Sequence, residues 1–313
     1  MSSFFNRLFH KKSSFYTSPS KLEEPSEPIN PIHLEVNTTL TEESVQSHSP
    51  TISHLEVPQF IVGVALSIGI QRDHNEDSVF TLTTNLITDE KTINFGLYIV
   101  ADGMGGHDNG ELASSLAVGK LSSYVINNLY LPLISPSDSK LEYSIQEVML
   151  AGVMQAHQTI KMETEGGGTT LTAALILGDQ ITIAHVGDSR AYSVDSNGSM
   201  QLLTHDHSLV KRLEEIGQIS PEQTSTHPQR NILYRALGQG EPFEPDITTF
   251  QVYQGFQLLL CSDGLWGVLP ENELTAIVRS SSEPQLVCQS LINSANAAGG
   301  PDNISVIIVR IPD

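Results

Sequence analysis

GLYIVADG, residues 96 to 103, is an unbroken run of apolar and aromatic residues closed by an aspartate and a glycine. Its β-branched and aromatic content suits a strand buried within a sheet. Asp102 therefore stands at the edge of an apolar interior, where an ionised carboxylate needs compensation. The arrangement recurs twice: LLLCSDG places Asp263, and GGPDNISVIIV places Asp302, directly against apolar runs. Asp-Gly is also a favoured turn pair, so any single instance reads as the turn that follows a strand. Three such aspartates, together with Asn75, Glu76 and Asp77 in QRDHNEDS, read instead as hard oxygen donors collected at one end of a sheet. That is the ligand set Mg²⁺ or Mn²⁺ requires. Gly103 lets the backbone approach a cation and offers its carbonyl, and Arg72 supplies a planar fork suited to a phosphate.

Outward from this run, further strand-like segments lie at LTAALIL (171 to 177), QITIAHV (180 to 186), FQLLLC (256 to 261) and ISVIIVRI (304 to 311), and another opens at FIVGVALSIGI after Gln59. Their separation by turn residues predicts antiparallel meanders. Helical patterns lie at 110 to 129, 143 to 162, around 207 to 217, at 271 to 278 and at 284 to 295. Strands and helices come in blocks, which predicts an α+β layered domain with sheet packed on sheet and helices outside. Residues 1–57, rich in Ser, Thr, Pro and Glu without periodicity, read as a disordered leader, and 58–313 as the folded domain.

Composition excludes several functions. Acidic residues outnumber basic ones 36 to 16, for a formal charge of -20, so a nucleic-acid backbone would be repelled. The two cysteines, Cys261 and Cys288, have no metal-ligand spacing and fit a reducing, cytoplasmic setting. No apolar run approaches the ~20 residues needed to cross a bilayer, and the opening MSSFFNRLFHKK is too short and interrupted for a signal peptide. His205 and His207 flank Asp206 and read as solvated loop histidines, with zinc binding as the rarer alternative.

Taken in order, GIQRDHNED (69 to 77), VADGMGGHDNGELAS (100 to 114), GTTLTAALI (168 to 176), HVGDSRAY (185 to 192), LTHDHSLV (203 to 210), NILYRALG (231 to 238), CSDGLWGVL (261 to 269) and GGPDNISVIIV (299 to 309) resemble the type 2C, or PPM, metal-dependent serine/threonine protein phosphatases, bacterial branch. The resemblance implies a central β-sandwich of two antiparallel sheets flanked by pairs of helices. It implies two Mn²⁺ or Mg²⁺ ions and a third, weaker site. Asp102 would bridge the two metals, Gly103 would give its carbonyl, and Asp263 with Asp302 would complete the set. Asp188 would join Asp263 at the third site, Glu76 and Asp77 would orient metal-bound waters, and Arg72 would bind the substrate phosphate. The implied reaction is hydrolysis of phosphoserine and phosphothreonine in proteins by a metal-activated water, opposing a cognate bacterial-type Ser/Thr kinase, in a cytoplasmic monomer. Met104 stands where eukaryotic relatives carry a proposed general acid, so none is assigned. Tyr234 replaces a Thr usual in bacterial relatives, beside a flap over the site spanning about 204 to 238.

Overall fold

The run ending at Asp102 is part of a long strand at the centre of one of two sheets. The computed structural model describes residues 59–87, 92–105, 108–135, 143–195, 197–224, 226–241, 243–253 and 255–311. The leader expected over 1–57 lies outside the described residues. In chain order the strands are β1 (Ile61–Ser67), β2 (Asp77–Ile87), β3 (Thr92–Met104), β4 (Gly168–Thr169), β5 (Leu171–Leu177), β6 (Gln180–Val186), β7 (Arg190–Val194), β8 (Met200–Leu202), β9 (Asp246–Gln251), β10 (Gln257–Cys261) and β11 (Ile304–Arg310). The helices are α1 (Asp108–Val125), α2 (Leu131–Ile134), α3 (Ile145–Glu163), α4 (Leu209–Glu215), α5 (Pro221–Thr224), α6 (Asp263–Trp266), α7 (Glu271–Val278) and α8 (Pro284–Ala297).

One sheet has the order β1-β11-β10-β7-β8 and the other β2-β3-β5-β6-β9, with short β4 on the end of β3. All pairings are antiparallel. Side chains alternate across a strand, so β3 serves two layers at once. Phe95, Leu97, Ile99 and Ala101 join the core formed with α1 and α3. Tyr98 and Val100 face the other way, into a core shared with Leu258, Leu260, Ile307 and Val309 of the opposite sheet. A third core sets Leu259, Cys261 and Ile308 against Leu274 and Leu291 of α7 and α8. The result is the four-layer α-β-β-α sandwich expected. Each fully buried Leu or Ile stabilises by roughly 2 kcal/mol, so apolar packing fixes the strands whose ends carry the aspartates.

Local sequence explains the helix limits. Ser144 and Glu147 form a reciprocal capping box at the start of α3, and Val148, Met149, Val153, Ala156 and Ile160 recur on its buried face. The helix expected over 110 to 129 instead ends at Val125 and continues as a π-helical turn, Ile126–Tyr130, into α2. Besides the short β4 (GT) and β8 (MQL), three longer strands had no apolar run to announce them: β2 (DSVFTLTTNLI), β7 (RAYSV) and β9 (DITTFQ). β2 and β9 are edge strands, which need only one neighbour and tolerate polar residues. Among the described residues no helix is long and apolar enough to cross a membrane.

Candidate metal centre

β3 stays extended through Asp102 and Gly103 to Met104, which overturns the turn reading of this Asp-Gly pair. Asp102 lies opposite Asp77 of β2, and Gly103 opposite Thr169 of β4, so neighbours on both sides hold the segment in the ladder. Glycine is needed here because a Cβ on residue 103 would lie 2.3 Å from the Gly110 carbonyl oxygen and 2.5 Å from that of Glu76. The second pair differs, since Asp263 opens the short helix α6 directly after β10. A Cβ on Gly264 would fall 2.0 Å from the Asn303 carbonyl oxygen, which carries Asp263 close to the loop holding Asp302.

The chain positions these acids through short polar side chains. Asp77 accepts hydrogen bonds from Ser262 Oγ at 2.8 Å and Ser305 Oγ at 2.7 Å. The Asp102 main chain donates to Thr170 Oγ1 at 2.9 Å and accepts from the Thr170 N–H at 2.9 Å and Thr169 Oγ1 at 2.8 Å. Asn303 ties the Arg72 loop to β11, accepting from the Glu76 N–H and donating to the carbonyls of Ile68 and His74. None of these Ser, Thr or Asn roles is visible in the sequence, although Ser262 and Asn303 each adjoin a predicted ligand.

The electrostatics of the cluster are unbalanced. Burial, and then repulsion from Asp77, Asp263, Asp188 and Asp302, pushes the Asp102 carboxyl well above the usual carboxylate range. Asp188 is raised by burial and then by Asp263 and Asp206. Burial raises Asp77 to about 7, against the two serine hydrogen bonds, with Asp263 and Asp302 adding to the rise. Asp263 is raised by burial and by Asp302 to about 6. The counter-charges are Arg190, which acts against the rise of Asp188, and Arg72, whose Nη2 donates to Asp302 Oδ2 at 2.7 Å while its side chain remains 47% exposed.

Glu76 pairs through Oε1 with His74 Nε2 at 2.8 Å, and its Oε2 lies against Gly110. Arg72, Asp188, Asp263 and Asp302 line a cleft of about 490 Å³, whose other walls include Trp266 and the flap residues Val210 and Lys211. Tyr234 is half-exposed, its ring beside His207.

His207 corrects the expectation of solvated histidines, being 1% exposed. His205, His207 and Asp246 bring potential ligand atoms within 4.8 Å of one another. Yet the Gly187 N–H donates to His207 Nδ1, and His207 Nε2 lies 3.2 Å from Asp246 Oδ2 and 3.1 Å from Arg235 Nη1. Arg235 also donates to Asp246, at 2.9 Å. This cluster already has its cation.

At the sheet end, by contrast, Asp77 Oδ1 and Asp263 Oδ1 are buried with no hydrogen-bond partner. Buried atoms of this kind are costly unless something meets them, and here every donor is a hard oxygen. The chemistry of this donor set, buried carboxylate oxygens left without partners, fits divalent cations. A cage of carboxylates under a cleft with an arginine at its mouth defines a metal-dependent hydrolase of phosphoesters.

The chain belongs to the protein phosphatase 2C family, whose model matches residues 67–304. It is 40% identical over 241 residues to the serine/threonine phosphatase stp of Listeria welshimeri, a match covering 76% of this chain and 91% of that protein. Its fold is similar to that of the Mycobacterium tuberculosis serine/threonine phosphatase PstP/Ppp, with a TM-score of 0.67 at 30% identity over 82% of this chain and 100% of that one. A structure of the PstP catalytic domain in complex with two manganese ions matches with a TM-score of 0.66, at 30% identity and over the same shares of the two chains.

Proposed function

We propose that this chain is a metal-dependent protein phosphatase that hydrolyses phosphoserine and phosphothreonine, with Asp102, Gly103, Asp263 and Asp302 holding two Mn²⁺ or Mg²⁺ ions and Asp188 with Asp263 a third. The observation that carries it is a group of buried, mutually repelling carboxylates with unpartnered oxygens, of which Asp188 and Asp263, with Asp302, line the cleft. When bound, the cations supply the positive field and the acidification of water that phosphoester hydrolysis needs. Arg72 serves the substrate: its Nη2 donates to Asp302 and its Nε to the Pro301 carbonyl at 3.4 Å, which leaves the Nη1 side of the half-exposed guanidinium for a phosphate. Ser262 and Ser305 hold Asp77 so that its other oxygen points free of the serines, toward water ordering beside the cations. Thr169 and Thr170 hold the main chain that presents Asp102 and Gly103.

The test is hydrolysis of p-nitrophenyl phosphate and of a phosphothreonine peptide. Both should require added Mn²⁺ or Mg²⁺ and stop with a chelator, and persistence in metal-free buffer would refute the reading. The bacterial relatives support a cognate bacterial-type Ser/Thr kinase as the opposing activity. The free thiols of Cys261 and Cys288 support a reducing, cytoplasmic setting. The proposed catalytic unit is 58–313, acting as a monomer, with 1–57 contributing no ligand.

A further inference from the structure

One buried residue of α3 is out of keeping with its surroundings. His157 is 0% exposed, on a helix face otherwise made of Val148, Met149, Val153, Ala156 and Ile160. Its ring stacks on Phe243, with 3.8 Å between centroids and 13° between planes, a contact that an apolar side chain could also make. Its nitrogens are what an apolar residue would lack. Nδ1 accepts the Gly238 N–H at 3.2 Å. The proton of the neutral ring therefore sits on Nε2, which lies 3.6 Å from Glu241 Oε1, outside hydrogen-bond reach and with no other partner among the described residues. Glu241 is itself paired with Lys161 at 2.6 Å. Burial holds the His157 ring below the usual histidine value, against the pull of Glu241, so the ring is kept in the neutral form that can accept.

Gly238 leads directly to the main chain of the metal centre. Leu237 and Thr169 exchange backbone hydrogen bonds of 2.9 and 3.2 Å, and Thr169 Oγ1 donates to the Asp102 carbonyl. β4, which Thr169 closes, spans two residues and pairs with Gly103 and Met104. So short a strand has too few ladder bonds to fix its own position and takes it from the segment outside. That segment is pressed onto α3: Gly238 has a φ of +80°, and a Cβ there would lie 2.4 Å from Ile160 Cγ2. Packing alone sets no direction for the peptide, whereas the bond to Nδ1 does.

We propose that His157 is a positioning residue for the metal centre: by accepting the Gly238 N–H at Nδ1 it fixes the Leu237–Thr169 bridge, and through β4 the main chain that presents Asp102 and the Gly103 carbonyl. This rests on the phosphatase reading above. His157 touches neither cation nor substrate. α3, with 19 residues, supplies the rigid support, and His157 is where that support passes to a strand of two. Outer groups that orient the ligands of a metal typically change its affinity by about 10- to 100-fold when removed. Loss of the acceptor at Nδ1 therefore shows in cation affinity as well as in stability.

The experiment uses the full chain and Mn²⁺ alone, with bound Mn²⁺ counted by electron paramagnetic resonance, and the Leu237 amide followed by hydrogen exchange in the metal-free protein. Asn and Gln separate the two ring nitrogens, because an Asn side-chain oxygen falls near the place of Nδ1 and a Gln oxygen near that of Nε2. His157→Gln should weaken Mn²⁺ binding by about 10-fold and speed exchange at Leu237. His157→Asn should bring both back close to the unsubstituted values, although it too loses the stack on Phe243. Variants that melt lower with unchanged Mn²⁺ affinity would mark the ring as merely structural and overturn the proposal, as would equal losses of affinity in the two. The ¹⁵N spectrum of His157 in the unsubstituted protein should show Nε2 protonated and Nδ1 bare. A proton on Nδ1 would overturn the proposal even if neither variant folds. Failure of the unsubstituted protein to bind Mn²⁺ would overturn the phosphatase reading and this one with it, whereas unchanged affinity in His157→Gln overturns this one alone, which separates the two failures.

Discussion

Two acidic clusters lie close together in this protein, and their charges are settled in opposite ways. At the flap root each aspartate has a cation of its own: Asp206 is held by Arg190, and Asp246 by Arg235 and His207. Burial alone would raise the Asp246 carboxyl, yet His207 and Arg235 bring it below its usual value. At the sheet end, Asp77, Asp102, Asp188 and Asp263 are buried against one another and all are raised, with Arg72 reaching Asp302 at the mouth. The first cluster is a closed account of structural charge. The second is an incomplete one that a bound cation completes, and the contrast shows that balance of charge, more than the number of acids, marks a metal centre.

The sharpest way to break this comparison is to neutralise one acid in each cluster. Asp263→Asn should lower turnover by more than about 10³-fold, as loss of a principal source of transition-state charge stabilisation does. In metal-free buffer the same variant should melt no lower than the unsubstituted chain, because it removes repulsion. Asp206→Asn should instead destabilise by about 3 kcal/mol in urea denaturation, because it strands a largely buried guanidinium. Equal destabilisation by the two variants would erase the distinction.

A smaller effect concerns pH. A carboxyl raised in the folded state binds more protons there than in the unfolded chain, so its stabilising contribution is present at low pH and is lost as pH rises through the folded value. For Asp77, at about 7, and Asp263, at about 6, that loss falls between about pH 4 and 7. Mn²⁺ takes the deprotonated forms, so the rise in melting temperature on adding Mn²⁺ should be larger at pH 8 than at pH 5.5. Near the flap root the sign reverses. His185 is pushed down to about 4, by burial first and His207 second, so its contribution is present above about 6.5 and lost as pH falls toward 4. His185→Gln should flatten the acid limb of the melting profile, and an unchanged slope would show that His185 is not its source. The smallest expected effect is that of deleting 1–57, which should leave activity on p-nitrophenyl phosphate unchanged.

Much of the centre was legible in the linear chain. Asp102, Asp263 and Asp302 announced themselves because a carboxylate after an apolar run is improbable without a partner, and Arg72, Gly103 and Asp188 followed from motif order. Ser262 was not legible: it adjoins Asp263 yet serves Asp77, 185 positions away in the chain. His207 was misread as solvated because its burial depends on Gly187, Tyr234 and Asp246 closing around it. The edge strands β2 and β9 escaped notice because their stability comes from a neighbour's ladder and not from an apolar run of their own.

The sequence by itself determined the layered α+β sandwich and which acids stand as candidates, because strand periodicity and the cost of a buried carboxylate are local facts. Only the tertiary structure decided which acids remain without a cation and which are neutralised. That depends on side chains far apart along the chain meeting across sheets, and no local pattern records which arginine reaches which aspartate.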